Sequence, residues 1–193
     1  MTIELSVRKE VAKCMTSSRP LSLLALVLFV AGIAGCSSAP SDPYFKSGIE
    51  KQKAGDYKGA ISDYSKSLAI DHDSAATYYN RGNSKYYLKD YQGAIVDHGF
   101  AILMYPEYDV AYNDRGLAKY KLKDYQGSIA DYTKAIEISS RNARFYENRA
   151  RASRALKDYQ GAVNDFNMVL VIKPQDSNAH NDRGNAKFDL NDR

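Results

Sequence analysis

The chain has 193 residues and a formal charge of +4, from 27 basic and 23 acidic side chains interspersed along its length. That balance argues against nucleic acid as a partner, since a binder of nucleic acid carries a clear basic face. Its two cysteines, Cys14 and Cys36, lie in the first fifth of the chain, so the remainder can form neither a disulfide framework nor a zinc-binding cysteine cluster. Proline is scarce at 5 residues, as suits a helical chain, and 16 tyrosines accompany a complete lack of tryptophan.

The first element is an address. Arg19 and Pro20 precede the apolar run LSLLALVLFVAGIA at residues 21–34, which ends in Ile33-Ala34-Gly35-Cys36. A basic region followed by such a run reads as an export signal. The run is shorter than the ~20 apolar residues of a spanning helix. The aliphatic residue, two small residues and cysteine resemble the lipobox of bacterial lipoproteins. That resemblance implies diacylation of Cys36, cleavage before it, and acylation of the new amine. Several acyl chains make physical sense, because each buried CH₂ contributes only ~0.8 kcal/mol and one chain anchors marginally. An uncleaved signal anchor or a buried helix is the alternative. From Met1 the leader exceeds the usual ~15–30 residues, whereas from Met15 it is compact, so Met15 is the expected start. By the sorting rule of enteric lipoproteins, Ser37 implies the outer membrane. Residues 36–42 read as the lipidated cysteine and a short polar linker, and six extended residues reach at most about 20 Å.

Residues 43–193 carry a repeat. The segments Asp56-Tyr57-Lys58-Gly59-Ala60-Ile61, Asp90-Tyr91-Gln92-Gly93-Ala94-Ile95, Asp124-Tyr125-Gln126-Gly127-Ser128-Ile129 and Asp158-Tyr159-Gln160-Gly161-Ala162-Val163 recur every 34 residues. A fixed period of that size signals stacked supersecondary units. Ala60, Tyr64 and Leu68 have helical spacing, as do Tyr44 and Gly48. Each Asp follows a polar turn and can cap the helix that starts at the next Tyr. The expected unit is a pair of antiparallel helices that cannot bury its apolar face alone.

These units resemble tetratricopeptide repeats, at 41–74, 75–108, 109–142 and 143–176, with a half unit at 177–193. The family's early large residue appears as Tyr44, Tyr78, Tyr112 and Tyr146. Its glycine appears as Gly48, Gly82, Gly116 and Gly184, with Ala150 in unit four. Its second-helix small residue is Ala60, Ala94, Ser128 or Ala162, and the aromatic slot four residues on holds Tyr64, His98, Tyr132 and Phe166. The closing proline is present as Pro106 and Pro174 but is replaced by His72 and Ser140. The resemblance implies an all-α solenoid of stacked helical hairpins, four full repeats and a C-terminal single helix. Nearly all the tyrosines are then expected in core or inter-repeat packing.

Where the family has leucine before the glycine, this chain has Arg81, Arg115, Arg149 and Arg183, with Ser47 in the first unit. A recurrent Asp63, Asp97, Asp131 and Asp165 precedes each Arg by 18 residues. The Arg set starts one unit late and the Asp set stops one unit early, so each Asp is expected to pair with the Arg of the next unit. Such an Arg could cover apolar surface with its stem while its fork meets the carboxylate.

The family's concave face is lined by first helices. Alignment places there Tyr79, Asn80, Asn83, Tyr86 and Tyr87, then Asn113, Asp114, Leu117, Tyr120 and Lys121, then Arg144, Glu147, Asn148, Arg151 and Arg154. Tyr and Asn suit an extended peptide, gripped through its backbone by amides and through its side chains by rings. Arg144, Arg151 and Arg154 favour an acidic segment or a carboxylate terminus, tempered by Glu147. Some family members hold chaperone C-termini with a clamp of Lys, Asn and Arg. The matching positions here, Tyr79, Asn83, Asp114, Arg144 and Asn148, satisfy it only at Asn83 and Arg144, so that ligand is not expected.

His72, His98 and His180 lack metal-ligand spacing, and no phosphate loop or nucleophile elbow occurs. No metal, cofactor or catalytic residue is expected. His98 is odd in an aromatic core slot and reads as a satisfied core imidazole or a pH-sensitive weak point. The expected role is a membrane-anchored scaffold with a protein or peptide partner, assembling an envelope complex. Recruitment of peptidoglycan or other envelope enzymes and a signal-anchored form facing the cytosol are the alternatives. A start at Met15 predicts that N-terminal sequencing of the unprocessed precursor reads Met-Thr-Ser-Ser; a precursor beginning at Met1 refutes it.

Overall fold

The computed structural model of the chain describes residues 42–191. The leader, Cys36 and nearly all of the linker lie outside the described residues, as do Asp192 and Arg193. Nine α-helices and no strand occur among the described residues. They are α1 Pro43–Lys53, α2 Tyr57–Ile70, α3 Ala75–Tyr87, α4 Tyr91–Met104, α5 Asp109–Lys121, α6 Tyr125–Ile138, α7 Ala143–Ala155, α8 Tyr159–Ile172 and α9 Ser177–Asn191. Odd-numbered helices are first helices and even-numbered ones second helices, giving four hairpins and a lone ninth helix.

The turn inside each hairpin follows from local chemistry. Asp56, Asp90, Asp124 and Asp158 cap the second helices, each carboxylate accepting from the backbone N–H three residues on at 2.9 Å. Those donors belong to Gly59, Gly93, Gly127 and Gly161, where a Cβ would collide with the capping carboxylate. The same Asp residues close the preceding helix: Asp90 N–H reaches the Lys85 carbonyl at 2.9 Å and Lys89 N–H the Tyr86 carbonyl at 2.9 Å. This paired closure needs a left-handed residue between the helices. Gly55 supplies it in the first hairpin, but Lys89, Lys123 and Lys157 adopt it in the others, at φ of 64°, 65° and 62°.

The helices of a hairpin approach closely at glycine. A Cβ added at Gly48, Gly82 or Gly116 would stand 2.6, 2.9 or 2.7 Å from a ring atom of Tyr64, His98 or Tyr132. In the fourth hairpin Ala150 and Phe166 share one buried cluster with Ala162, Val163 and Val169. Gly184 of α9 has nothing within 4 Å of that position. First helices α1, α3, α5 and α7 also touch one another in succession, and no second helix makes comparable contact with the next second helix among the described residues. The first helices therefore form the inner side of the solenoid.

Asp63, Asp97, Asp131 and Asp165 are all at least 95% buried, but their partners are not those expected. Asp97, Asp131 and Asp165 each meet the Arg of their own hairpin, 16 residues earlier. Arg81, Arg115 and Arg149 donate through Nε and Nη2 to the two carboxylate oxygens of Asp97, Asp131 and Asp165, at 2.6–2.9 Å. The pairing of each Asp with the next unit's Arg is thus wrong. Asp63 does not pair with Arg81, nor Asp97 with Arg115, Asp131 with Arg149 or Asp165 with Arg183. The reason is angular: the Asp lies on the second-helix face that meets its own first helix. Two residues on, about 200° around the helix, the side chain faces the following unit instead. That position carries the inter-unit link. Arg81 Nη1 donates to Ser65 Oγ at 3.2 Å, Arg149 Nη1 to Thr133 Oγ1 at 3.1 Å, and Arg183 Nη1 to Asn167 Oδ1 at 3.0 Å.

The first hairpin lacks the Arg and uses substitutes. Ser47 and Lys51 both donate to Asp63 Oδ2 at 2.6 Å. The hydrogen bonds from Lys51 and Ser47 hold the Asp63 carboxyl down at about 2, against the burial that would raise it. Lys85 and Lys119 add a second cation to Asp97 and Asp131 at 2.8 Å. The guanidinium groups of Arg81, Arg115 and Arg149 also sit over Tyr78, Tyr112 and Tyr146, 5.5–5.8 Å from the ring centroids.

Arg115 alone of the four lacks the inter-unit partner, because Gly99 occupies that place; a Cβ there would lie 3.8 Å from Arg115 Nη1. Gly99→Ser should supply the missing hydroxyl and remove a helix-interior glycine, stabilising the chain by about 1 kcal/mol and raising the melting temperature by roughly 2–4 °C. An unchanged or lowered melting temperature in calorimetry would count against this role for Arg115 Nη1.

Candidate functional site

Three cavities open along the inner face and share walls. The first, about 210 Å³, is lined by Tyr79, Asn83, Tyr86, Tyr87, Asp114, Leu117 and Arg144. The second, about 240 Å³, shares Tyr86 and Leu117 with it and adds Tyr120, Lys121, Tyr132, Asn148 and Arg151. The third, about 280 Å³, shares Tyr120 and Arg151 with the second and adds Arg154, Ala155, Tyr159 and Asp189. Together they make one groove crossing α3, α5, α7 and α9.

Twelve of the fifteen expected groove residues line these cavities. Asn80, Asn113 and Glu147 do not. Asn113 is buried and serves the framework: Asn148 donates to its Oδ1 at 2.8 Å, and its own amide donates to Asp114 Oδ1 at 2.7 Å. Tyr79 Oη donates to Asp114 Oδ2 at 2.7 Å. A chain of polar contacts therefore runs from α3 through α5 to α7. The Tyr79 hydroxyl is held protonated, its pKa raised by burial and then by the Asp114 charge. Burial likewise raises Tyr86.

Arg144, Arg151 and Arg154, three of the four arginines of α7, are not an open cationic patch. Arg154 donates to Asp189 Oδ2 at 2.6 Å, Arg151 lies 3.8 Å from Asp182, and Arg144 lies 3.5 Å from Asp114. Neighbouring first helices meet at offsets of 35 residues, one period plus one, and that register puts a carboxylate opposite Arg154, as it puts Asp114 opposite Tyr79. Asp189 and Tyr132 are groove residues that the sequence reading missed. Asp189 is visible at the 35-residue offset from Arg154. Tyr132 belongs to a second helix, which alignment assigns to the core.

Tyrosine has more than a packing role here. Tyr64, Tyr132 and Tyr146 are buried, but Tyr44, Tyr87 and Tyr105 are exposed, and most of the others are half-buried. Around the first cavity the rings support each other: Tyr57 stacks on Tyr87 at 4.7 Å, Tyr86 meets Tyr91 edge-on at 5.3 Å, and Tyr79 tilts against Tyr108 at 5.0 Å.

His98 lies behind Tyr79, with ring centroids 5.5 Å apart. It is fully buried, and neither ring nitrogen has a hydrogen-bond partner. The expectation of a satisfied imidazole is therefore corrected. Tyr64, in the same slot, donates its hydroxyl to Gln52 Oε1 at 2.7 Å; the shorter imidazole has no such partner. Burial pushes His98 from 6.5 down to about 4, against the nearby charges of Asp114, Asp97 and Asp131 and in concert with Arg115.

Residues 52–89 match the family model described as TPR repeat, and residues 113–177 the model described as tetratricopeptide repeat, together just over half the chain. The chain carries tetratricopeptide repeats over these residues. No curated protein matches the sequence. Among solved structures, the crystal structure of MamA protein is 22% identical with a TM-score of 0.73, over 77% of this chain and 81% of that one. The Arabidopsis OM64 TPR domain is 27% identical with a TM-score of 0.56, over 58% of this chain and 93% of that one. The first TPR of Spaghetti (RPAP3), bound to HSP90 peptide SRMEEVD, is 23% identical with a TM-score of 0.58, over 60% of this chain and 92% of that one.

At pH 7 His98 is neutral in the folded and unfolded chain alike. Below 6.5 the unfolded chain takes up a proton that the folded chain refuses until about pH 4, so stability falls across that window, by on the order of 3 kcal/mol. The Asp63 contribution is lost separately, as pH drops from 3.8 toward about 2. His98→Phe, the residue that unit four carries in this slot, should be at least as stable at pH 7 and lose most of the decline between pH 6.5 and 4. Urea titrations at several pH values check this; an unchanged decline in the variant would clear His98 of the effect.

Proposed function

We propose that this protein is a scaffold that holds a partner protein by an extended segment laid along the inner groove. The observation that carries the reading is the continuity of the groove: three cavities with shared walls, built from first helices of successive repeats. Half-buried tyrosines offer broad, rigid contact area at low entropic cost, and the amides of Asn83 and Asn148 stand where a peptide backbone would pass. The first TPR of Spaghetti (RPAP3), of similar fold, is bound to an HSP90 peptide. The Lys and second Asn of a two-carboxylate clamp are missing here, so that particular ligand is not carried over.

The scaffold, on this reading, is tethered through acyl chains on Cys36 at the periplasmic side of the bacterial outer membrane and serves the assembly of an envelope complex. The support is the order Arg19, apolar run, Ile33-Ala34-Gly35-Cys36, Ser37 in the sequence. A scaffold so placed acts by position, bringing its partner to the membrane rather than changing it chemically.

A photo-reactive residue placed at Tyr86 or Arg151 in cells should cross-link a specific protein, whose identity by mass spectrometry separates an assembly factor from a recruited cell-wall enzyme. Cross-links confined to lipids or abundant bystanders overturn the groove reading. Metabolic palmitate labelling should be lost in Cys36→Ala and processing should be blocked by globomycin; an unlabelled wild-type chain removes the tether.

A further inference from the structure

The concave face holds one carboxylate in an unusual state. The four Asp residues buried inside the hairpins each have a cation at 2.6–2.7 Å. Asp114 has a side chain only 16% exposed, yet its nearest cation in the groove is Arg144 at 3.5 Å, and that Arg side chain is 61% exposed. The close contacts of Asp114 are neutral donors, Tyr79 Oη and Asn113 Nδ2, both at 2.7 Å. Two donors leave roughly half of a carboxylate's acceptor sites open.

The surroundings of Asp114 favour positive charge. Tyr79, Tyr86 and Tyr87 form the aromatic wall of the 210 Å³ cavity beside it. Ring faces attract ammonium and guanidinium groups. An anion entering the same cavity would meet the Asp114 charge and the negative faces of the rings. Among the described residues Arg144 is the only cation lining the cavity, and its side chain is largely exposed, 3.5 Å from Asp114.

Resting on the reading of the groove as a peptide site, we propose that this cavity receives a basic side chain of the docked segment, lysine or arginine. The incoming cation takes the place against Asp114 that Arg144 holds loosely, and Arg144 swings outward. Arg144 is thus a built-in competitor for the ligand rather than a contact for it. This reverses the acidic preference that Arg144, Arg151 and Arg154 suggest in the sequence.

The sign of the Arg144 effect decides the matter. The probes are butylguanidinium and butylammonium, with butyrate as the anionic counterpart at matched ionic strength, titrated into the isotope-labelled full chain and followed by amide chemical shifts. The cationic probes should shift Tyr79, Asn83 and Asp114 saturably. Arg144→Ala should tighten them by roughly two- to fivefold, the worth of an exposed cation–π or ion contact. Asp114→Asn should weaken them by on the order of tenfold, as expected for loss of a charged hydrogen bond. Arg144 is exposed, so its variant keeps the fold if Asp114→Asn does not. Tighter binding of butyrate than of butylguanidinium, weakened by Arg144→Ala, would make the cavity an anion site and overturn the inference. Binding of neither probe overturns it too. In both cases specific cross-links from Arg151 would leave the groove reading standing, and their absence is what removes that reading.

Discussion

A carboxylate placed between two helices dominates this fold. An ionised Asp taken out of water costs several kcal/mol unless charge and hydrogen bonds replace the solvent. Each hairpin meets that demand from its first helix, by an Arg fork, a Lys one turn later, or both; the first hairpin uses Ser47 and Lys51. The replacement works in only one relative height of the two helices, so the ion pair fixes their register. The same guanidinium then covers a tyrosine and reaches into the preceding unit. Alignment within a hairpin and alignment between hairpins are thereby tied to one side chain.

That dependence explains what the sequence could and could not reveal. Period, hairpin composition and the Asp caps are local and legible, since each needs only neighbours within a turn. The partner of each Asp was not legible, because offsets of 16 and 18 residues both bring an Arg within plausible reach. The absence of Arg from the first unit pointed to the wrong choice; Ser47 and Lys51 had quietly replaced it. The lysines at 51, 85 and 119 carry the correct signal, one turn after the Arg or Ser position in the same first helix.

The groove was legible as a surface and less so as chemistry. Membership of a first-helix face follows from alignment, and most of the expected residues are there. The charge state of the face depends on contacts between first helices, at one period plus one residue. Without those contacts Arg144, Arg151 and Arg154 look like a free basic cluster; with them Arg154 meets Asp189 at that offset, and Arg144 and Arg151 lie near Asp114 and Asp182 at offsets of 30 and 31 residues. Asn113 shows the same effect for hydrogen bonding. It is spent on Asn148 and Asp114 and has little left to offer a ligand.

Gly99 has a consequence beyond its own helix. The seam between the second and third units lacks the Arg strap, to a hydroxyl or an amide oxygen, that closes the other seams, and the orphan imidazole of His98 lies on its near side. The seam is held instead by the Tyr79–Asp114 hydrogen bond and by Ala101, Ile102 and Ala111 packed with Tyr78, Tyr79, Tyr108 and Tyr112. The first cavity of the groove lies across it, with Tyr79 on one side and Asp114 on the other. A ligand seated there would touch both sides, so its binding energy would add to the nearest-neighbour coupling on which a stacked array depends.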